Sequence, residues 1–205
     1  NILMAMLAAE KSGLKFEKII KVIKKIKPVN GRLEQVGIIK NKSRVVLDYA
    51  HTPEALKSCL QSLKEQFKDK KISIVFGCGG NRDKTKRSLM GKIANYYCNK
   101  VYLTDDNPRN ENPKKIRSSI KKKISRFNLF EIADRSKAIQ KAILDLNIGD
   151  ILIVAGKGHE NIQDYGKNKR IFSDKKEILK SIKIKNKNLS NNIKLNIINE
   201  LSKKN

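Results

Sequence analysis

Short apolar runs rich in β-branched residues alternate along the chain with longer segments whose apolar residues fall at helical spacing. Apolar runs of about four to eight residues are typical of buried strands, and a period of three to four residues is typical of helices. The first predicted strand carries Val36 and Ile38. We expect the later strands at residues 43–50, 71–77, 100–104, 130–134 and 150–156, with a last extended piece at 169–174.

The segments between these runs begin with residues that favour helix N-termini. The Thr-Pro pair at 52–53 and the Asn-Pro pair at 112–113 are typical, because the first side chain accepts a hydrogen bond from an unpaired N–H while proline lacks one. Asp174 with Glu177 resembles a capping box for a last helix. Gly13 separates two short helices at the N-terminal end.

Strands that alternate with helices of about 10–15 residues predict βαβ units and a mainly parallel sheet. The strands are apolar on both faces, as expected when helices cover both sides. We therefore expect an α/β fold with a doubly wound sheet over residues 31–184. Residues 1–30 form a separate helical piece, and the low-complexity tail at 185–205 is either disordered or a marginal helix.

Composition narrows the class of protein. A chain of 205 residues that is 39% hydrophobic can bury a core. It has no apolar run near the ~20 residues of a membrane helix and no signal-peptide pattern, so we expect a cytoplasmic protein without a membrane partner. Three cysteines without a CxxC pair and only two histidines argue against a disulfide framework or a metal site. The missing initiator Met suggests a piece of a longer protein.

The net charge of +26 is the kind of value found in proteins that bind nucleic acid. Most of the 46 basic residues, however, are lysines spread along the whole chain, without an RNP-like aromatic motif or a recognition-helix pattern. A composition rich in Lys, Asn and Ile also follows from a coding bias toward A and T. We interpret the lysines as solvated faces and keep a basic nucleic-acid-binding α/β module as an alternative.

Polar and small residues follow four of the predicted strands. The segments are "DYAHTP" at 48–53, "GCGGNRDKTKR" at 77–87, "TDDNPR" at 104–109 and "GKGHE" at 156–160. In open α/β sheets, ligands bind beyond the carboxyl ends of the strands. Four such ends that meet at one edge are hard to explain by turn chemistry alone, and they predict a binding site there.

The segment at 77–87 combines three glycines with Arg82. The glycines allow a close backbone approach to a ligand or a positive φ, and the arginine can donate two hydrogen bonds to a carboxylate or phosphate. Neither the dinucleotide pattern GxGxxG nor the P-loop pattern GxxxxGK[ST] is present, which disfavours a Rossmann oxidoreductase. A glycine turn with a solvated charge cluster is the alternative interpretation.

The turn at 106–109 holds Asp106, Asn107 and Arg109 around a rigidifying Pro108. Charges of both signs at a fixed spacing suit a zwitterion such as an amino acid, and an Asx-type turn with surface charges is the alternative. At 155–160, Glu160 could accept an ammonium group. His51, His159 and Asp48 could equally serve structural roles.

In this order and spacing, "LDYAHTPEAL", "FGCGGNRDKTKRSLMG", "TDDNPRNENP" and "AGKGHENIQ" closely resemble the C-terminal domain of the Mur ligase family. The resemblance covers about residues 1–182. It implies a Rossmann-like last domain of three, and residues 1–30 resemble the end of the central ATPase domain. It also implies peptidoglycan synthesis: ATP phosphorylates a carboxylate of a UDP-MurNAc-peptide, and the amine of an incoming amino acid attacks the acyl phosphate.

The "DNPR" variant resembles the branch of the family that uses meso-diaminopimelate. Carried over by position, the resemblance implies a diaminopimelate site at Arg82, Asp106, Asn107, Pro108, Arg109, Gly156 and Glu160. It places Arg32, Asp48, His51 and Lys84 on the nucleotide side of the cleft, with Lys86 as further positive charge near phosphates. It implies neither a catalytic residue nor a metal ligand within this chain.

The resemblance also implies the cofactors and partners. ATP and Mg²⁺ would be held mainly by the central domain, whose P-loop does not occur in these residues, so this chain alone would be inactive. The partners would be UDP-MurNAc-dipeptide, meso-diaminopimelate and ATP, and the enzyme would be a monomer. The alternatives within the superfamily are a ligase that adds D-glutamate and a folylpolyglutamate synthase.

Overall fold

The computed structural model describes residues 2–26 and 29–202, with side chains described as far as residue 192. The helices are α1 Ile2–Lys11, α2 Phe16–Ile23, α3 Pro53–Gln66, α4 Lys86–Tyr97, α5 Pro113–Lys121, α6 Arg135–Leu144 and α7 Asp174–Ser202, with a 3₁₀ turn at Arg126–Asn128. The strands are β1 Glu34–Ile38, β2 Arg44–Asp48, β3 Ile72–Phe76, β4 Lys100–Leu103, β5 Leu129–Glu131, β6 Ile151–Ala155, β7 Ile162–Tyr165 and β8 Asn168–Ile171.

Six strands form one sheet in the order β1-β2-β6-β3-β4-β5. The edge strand β1 is antiparallel to β2, and every other neighbouring pair is parallel. Helices connect β2 to β3, β3 to β4, β4 to β5 and β5 to β6 in turn. The prediction of a doubly wound, mainly parallel α/β sheet is confirmed.

The central strands send alternate side chains into two apolar layers. On β6, Ile151, Ile153 and Ala155 pack in the layer of α3, α4 and α5, whereas Leu152 and Val154 pack in the layer of α6 and α7. Because helices cover both faces, both sets of positions are apolar. The core therefore holds the carboxyl ends of β2, β3, β4 and β6 at one edge of the sheet.

Two helix starts follow the prediction. The Thr52 hydroxyl accepts a hydrogen bond from the Ala55 N–H at the start of α3, and Asn112 accepts one from the Lys115 N–H at the start of α5. The proline at the first position of each helix has no N–H that would need a partner. These starts fix where the chain leaves the edge of the sheet after β2 and after β4.

The predicted capping box at the start of the last helix is wrong. The Asp174 carboxylate pairs with Arg135 of α6, and the Glu177 side chain accepts from the Ser136 hydroxyl. A buried guanidinium competes for the acid more strongly than a backbone N–H, since both partners of the bond are charged.

The predicted extended piece at 169–174 is one half of a hairpin, because β7 and β8 pair antiparallel on either side of Gly166. From Asp174, α7 continues through most of the low-complexity segment to Ser202. The last three residues of the predicted tail lie outside the described residues. Across the described parts of the chain, no helix is long and apolar enough to cross a bilayer.

Candidate functional site

A cleft of about 740 Å³ opens at the carboxyl edge of the sheet. All four polar strand ends contribute to its lining. Its wall includes Tyr49, His51 and Thr52 after β2, Gly77, Cys78, Gly79 and Arg82 after β3, Asp106, Asn107 and Arg109 after β4, and Gly156 and Glu160 after β6. The architecture thus brings together acids, an amide and guanidinium groups that lie far apart in the sequence.

Glycines let the loop after β3 pack directly on the turn after β4. A Cβ at Gly80 would lie 1.8 Å from the Pro108 carbonyl oxygen, and one at Gly77 would lie 2.3 Å from the Thr104 carbonyl oxygen. The Gly80 N–H donates to the Asn107 carbonyl at 2.9 Å. The absence of side chains at these two glycines therefore serves contact between two backbone segments of the protein.

The Asp105 side chain points away from the cleft. One oxygen of its carboxylate accepts a hydrogen bond from Arg117 of α5, and the other accepts from the Tyr165 hydroxyl at 3.1 Å. Arg117 also donates to Glu131 at the end of β5, at 3.0 Å. With only 6% of Asp105 exposed, this acid anchors the turn to the helix and the hairpin behind it.

Asn107 is held between β6 and the hairpin. Its side-chain N–H donates to Glu160 at 2.9 Å, and its oxygen accepts from the Lys157 ammonium at 2.8 Å and from the Asp164 N–H at 3.0 Å. Lys157 is fully buried and also donates to Glu160 and to the Ile162 carbonyl. Every polar atom of the Asn107 amide is thereby fixed in direction.

Glu160 borders the cleft and shares this network. Burial opposes its ionisation, but hydrogen bonds from Lys157 and Asn107 outweigh that cost and lower the pKa of the Glu160 carboxyl. The network therefore supports a carboxylate at the cleft wall. An anionic oxygen there is suited to accept a hydrogen bond from an ammonium group.

Asp106 faces the cleft in a different environment. Within the described side chains no hydrogen bond reaches its carboxylate, and the nearest cation is Arg135, whose Nη1 lies 4.0 Å from Oδ2. A Cβ at Gly156, where φ is +109°, would lie 2.7 Å from the same oxygen. Burial raises the pKa of the Asp106 carboxyl, against the opposing effect of Arg135 and then Lys157.

Arg109 adopts a positive φ of +51°, which is uncommon for a residue with a side chain. Its N–H donates to the Asp164 carbonyl of β7 at 2.9 Å, and its Nη1 donates to the Gly80 carbonyl at 2.8 Å. The hairpin and the glycine loop thus hold Arg109 from both sides while its side chain lines the cleft. Pro108 contributes through its backbone contact with Gly80 and is not among the residues that line the cleft.

Not all of the residues expected on the nucleotide side line the cleft. The Asp48 carboxylate accepts from the Leu33 and Ala50 N–H groups, both at 2.7 Å, so it joins two loops and does not line the cleft. His51 lines the cleft, and its Nδ1 lies 2.8 Å from the Tyr49 carbonyl. The Arg32 guanidinium stacks over the Tyr49 ring at 4.6 Å, outside the lining.

Lys84 and Lys86, which follow β3, also differ in position. Lys84 is exposed and lies outside the residues that line the cleft, whereas Lys86 lines it and donates to the His51 carbonyl at 2.8 Å. Which of these residues contact a nucleotide stays a prediction.

Sequence reasoning did not assign a role to Lys157 or Arg135, the two buried cations behind the site. Lys157 carried a signal, since a lysine between two glycines at the end of a buried strand has little room to reach solvent. Arg135 is one charged residue at the start of an ordinary amphipathic helix, and only its 1% exposure in the folded chain reveals its environment.

Comparison with known proteins agrees with this architecture. Residues 31–158 match the family described as "Mur ligase, glutamate ligase domain", which is more than half of the chain. The chain therefore belongs to the Mur ligase family, which the four motifs at the strand ends resemble.

Two of the similar proteins are named as diaminopimelate ligases. The chain is 45% identical over 188 residues to the UDP-N-acetylmuramoyl-L-alanyl-D-glutamate–2,6-diaminopimelate ligase of Rickettsia felis, covering 91% of this chain and 35% of the relative. A solved structure of a ligase with that name superposes with a TM-score of 0.69 and 37% identity, over 88% of this chain and 37% of the other. The chain thus spans about a third of the length of these relatives.

A more distant solved structure is the folylpolyglutamate synthase of Thermotoga maritima. It superposes with a TM-score of 0.54 and 27% identity, over 74% of this chain and 34% of that protein. Its identity to this chain is lower than that of the two diaminopimelate ligases.

Proposed function

We propose that this chain is the amino-acid-binding part of an ATP-dependent ligase that adds meso-diaminopimelate to UDP-MurNAc-L-Ala-D-Glu in peptidoglycan synthesis. The relatives named above support the reaction. The observation that carries the proposal is the make-up of the cleft, where two acids, Asp106 and Glu160, face the same space as two guanidinium groups, Arg82 and Arg109.

This arrangement suits a ligand with two ammonium and two carboxylate groups. Asp106 and Glu160 would accept hydrogen bonds from an ammonium group, and Arg109 would pair with a carboxylate in the bidentate geometry that guanidinium favours. Arg82 is exposed at the rim and would pair with a second negative group. L-Lysine lacks the second carboxylate and would leave an arginine without its partner, which is how a polar site rejects an analogue.

In this reaction ATP, with Mg²⁺, would phosphorylate a carboxylate of UDP-MurNAc-L-Ala-D-Glu, and the amine of diaminopimelate would displace the phosphate. Within the described residues, no group of three or more His, Cys, Asp or Glu side chains could hold a metal ion. By the family resemblance, the metal and most of the nucleotide contacts would lie in a part of the ligase outside these residues. The contribution of this chain would be to bind and orient the amine, and to bring Lys86 and His51 to the nucleotide side when the cleft closes.

The proposal extends to organisation and partners. Residues 1–30 would complete an ATP-binding domain, residues 31–184 would form the amino-acid-binding domain, and residues 185–205 would be a C-terminal extension. The ligase would act as a cytoplasmic monomer on small-molecule substrates. Because the family match identifies a ligase domain, we propose neither a nucleic-acid-binding module nor an oxidoreductase, and a ligase for another amino acid is the remaining alternative.

Calorimetric titration of the 205-residue chain with meso-diaminopimelate and with L-lysine tests this proposal. We expect lysine to bind at least about tenfold more weakly, because a charged hydrogen bond contributes about 1.5–3 kcal/mol. Arg109→Lys should remove most of that preference, whereas Arg126→Lys, the same exchange at an exposed site on the 3₁₀ turn, should leave it unchanged. Equal affinity for both amino acids, or binding of neither, would contradict the proposal.

A further inference from the structure

The guanidinium of Arg135 lies directly behind the amino-acid site. Its Nε and Nη2 each donate to one oxygen of Asp174 at 2.7 Å, and Nη2 also donates to the Ala155 carbonyl at 2.9 Å. The side chains of Arg135 and Asp174 are both fully buried. This pairing ties the start of α6 to the start of α7 and to the end of β6.

The third nitrogen of the guanidinium has no such partner. Nη1 is buried and makes no hydrogen bond within the described residues, and it faces Oδ2 of Asp106 at 4.0 Å. Burying an N–H donor without a hydrogen-bond partner costs free energy, so the orientation of Nη1 requires an explanation. The Asp106 carboxylate lines the cleft next to Gly156, where the lack of a side chain leaves room for it.

Charges of both signs surround the Asp106 carboxylate. Arg135 from α6 and Lys157 from the end of β6 favour its ionised form, while Asp174 of α7 and Glu160 oppose it, and the Cys78 thiol faces it from the loop after β3. Burial is the largest effect and raises the pKa of Asp106. Without Arg135 the balance would shift toward a protonated acid, which accepts hydrogen bonds from an ammonium group poorly.

We propose that Arg135 is a positioning residue of the amino-acid site, whose Nη1 keeps the Asp106 carboxylate ionised and turned toward the cleft so that it can receive a ligand ammonium group. The ligand class rests on the proposed function, but the effect of Arg135 on Asp106 belongs to the free protein. Arg135 does not touch the ligand. It acts through Asp106, and Asp174 moderates it by neutralising part of its charge.

A purely structural role makes a different prediction from this one. If Arg135 only joins α6 to α7, then any loss of its pair with Asp174 should disturb the site in the same direction. If the charge acts on Asp106, then removing the cation and removing its counter-ion should have opposite effects. The two partners of one buried pair therefore provide matched variants.

The experiment is a carboxyl ¹³C NMR titration of Asp106 in the 205-residue chain, compared among three variants. The double variant Arg135→Gln, Asp174→Asn neutralises both partners and should raise the pKa of Asp106, because the nearer charge is lost. Asp174→Asn alone should lower it. Arg135→Lys keeps the positive charge but loses the paired hydrogen bonds to Asp174. The pKa of Asp106 in this variant should stay close to its value in the parent, which distinguishes an effect of the charge from a folding defect.

Binding of meso-diaminopimelate provides the second measurement. The double variant should bind more weakly than the parent at pH values where its Asp106 is protonated, by up to about tenfold for each unit by which the pKa rises. The loss should be recovered at higher pH. An Asp106 titration that is unchanged in the double variant, or that moves the same way in Asp174→Asn, would overturn the role of Arg135. A parent chain that binds no diaminopimelate would overturn the proposed function and leave the titration as a separate test.

Discussion

Asp105 and Asp106 are neighbours in the chain, yet their carboxylates lie in opposite environments. Asp105 points to the back of the turn, where Arg117 and Tyr165 occupy its two oxygens. Asp106 points to the cleft, where its closest cation, Arg135, stands 4.0 Å away without a hydrogen bond. Both acids are nearly buried, with exposed fractions of 6% and 7%. Burial alone therefore does not distinguish an anchoring acid from one that is ready for a ligand.

The difference lies in how far each group is already satisfied within the protein. A buried charge with a full set of partners gains nothing from a ligand, and its removal costs stability. A buried charge with an incomplete set has hydrogen-bonding capacity left for a ligand, and its removal should cost binding instead. We therefore expect the back of the turn to support the fold and the front to contact a ligand.

The largest effect is expected behind the turn, at Arg117. Arg117→Met leaves the buried Asp105 without its cation and also removes the hydrogen bond to Glu131. Loss of one partner of a buried ion pair typically costs about 3–5 kcal/mol. Urea denaturation should show a drop of that order in the free energy of unfolding.

Lys121→Met is the matched control, since Lys121 also pairs with Glu131 but keeps 42% of its side chain exposed. An exposed pair contributes at most about 1 kcal/mol. Similar losses in the two variants would show that the back of the turn is not the anchor described above.

In front of the turn, Asp106→Asn should leave the free energy of unfolding nearly unchanged, because no hydrogen bond to the carboxylate is lost and its burial cost is relieved. Affinity for meso-diaminopimelate should fall by about 10- to 100-fold, the equivalent of one charged hydrogen bond. Asp105→Asn should do the reverse, with a clear loss of stability. Calorimetry and urea denaturation of both variants measure the contrast, and an equal stability loss in the two would contradict it.

Gly79 and Gly80 extend the comparison to the loop that packs on the turn. At Gly80 a methyl group would meet the rigid Pro108 carbonyl, whereas at Gly79 it would meet the movable end of the Arg109 side chain at 2.8 Å. Gly80→Ala should therefore cost about 1–3 kcal/mol of stability through overpacking. Gly79→Ala should cost less stability but weaken diaminopimelate binding by displacing Arg109. Thermal denaturation and calorimetry of the two variants measure these effects. A larger loss of stability in Gly79→Ala than in Gly80→Ala would contradict the packing described above.

The smallest effect concerns acid pH at Glu160. Hydrogen bonds from Lys157 and Asn107 lower the pKa of Glu160 below its ordinary value of 4.5 despite burial. Its ionised form therefore stabilises the fold above that value, and this contribution is lost as the pH falls through the lowered pKa. Glu160→Gln should flatten the decline in urea midpoint below about pH 5, with Glu65→Gln on the exposed face of α3 as control. An unchanged slope would argue against the network.

The central strands of the sheet were predictable because they are short and mostly apolar runs. In β3 and β6 every residue is buried, so composition and length alone indicate the strand. Strand β7 was missed for the opposite reason, since its sequence IQDY lacks an apolar run. Its position comes from contacts with the turn, such as the Asp164 hydrogen bond to Asn107, and these exist only after the chain has folded.

The location of the cleft was predictable, because parallel strands place their carboxyl ends at one edge whatever the loops contain. The direction of each side chain was not predictable. Nothing in the letters "DDNPR" shows that the first acid faces Arg117 and the second faces the cleft. The capping box at Asp174 failed because a distant arginine competes for the same carboxylate, and a local pattern cannot contain that partner.

The order of the strands also has a consequence for synthesis on the ribosome. The central strand β6 lies between β2 and β3 but is made after all the other strands of the main sheet. Until Ile151–Ala155 has emerged, the nascent chain can form only two separate ribbons, β1-β2 and β3-β4-β5. In each ribbon the strand that later pairs with β6 is an exposed edge. Such edges readily pair with the wrong partner. We therefore expect a chain released before residue 151 to aggregate, and the domain to complete its folding only once nearly all of it has been translated.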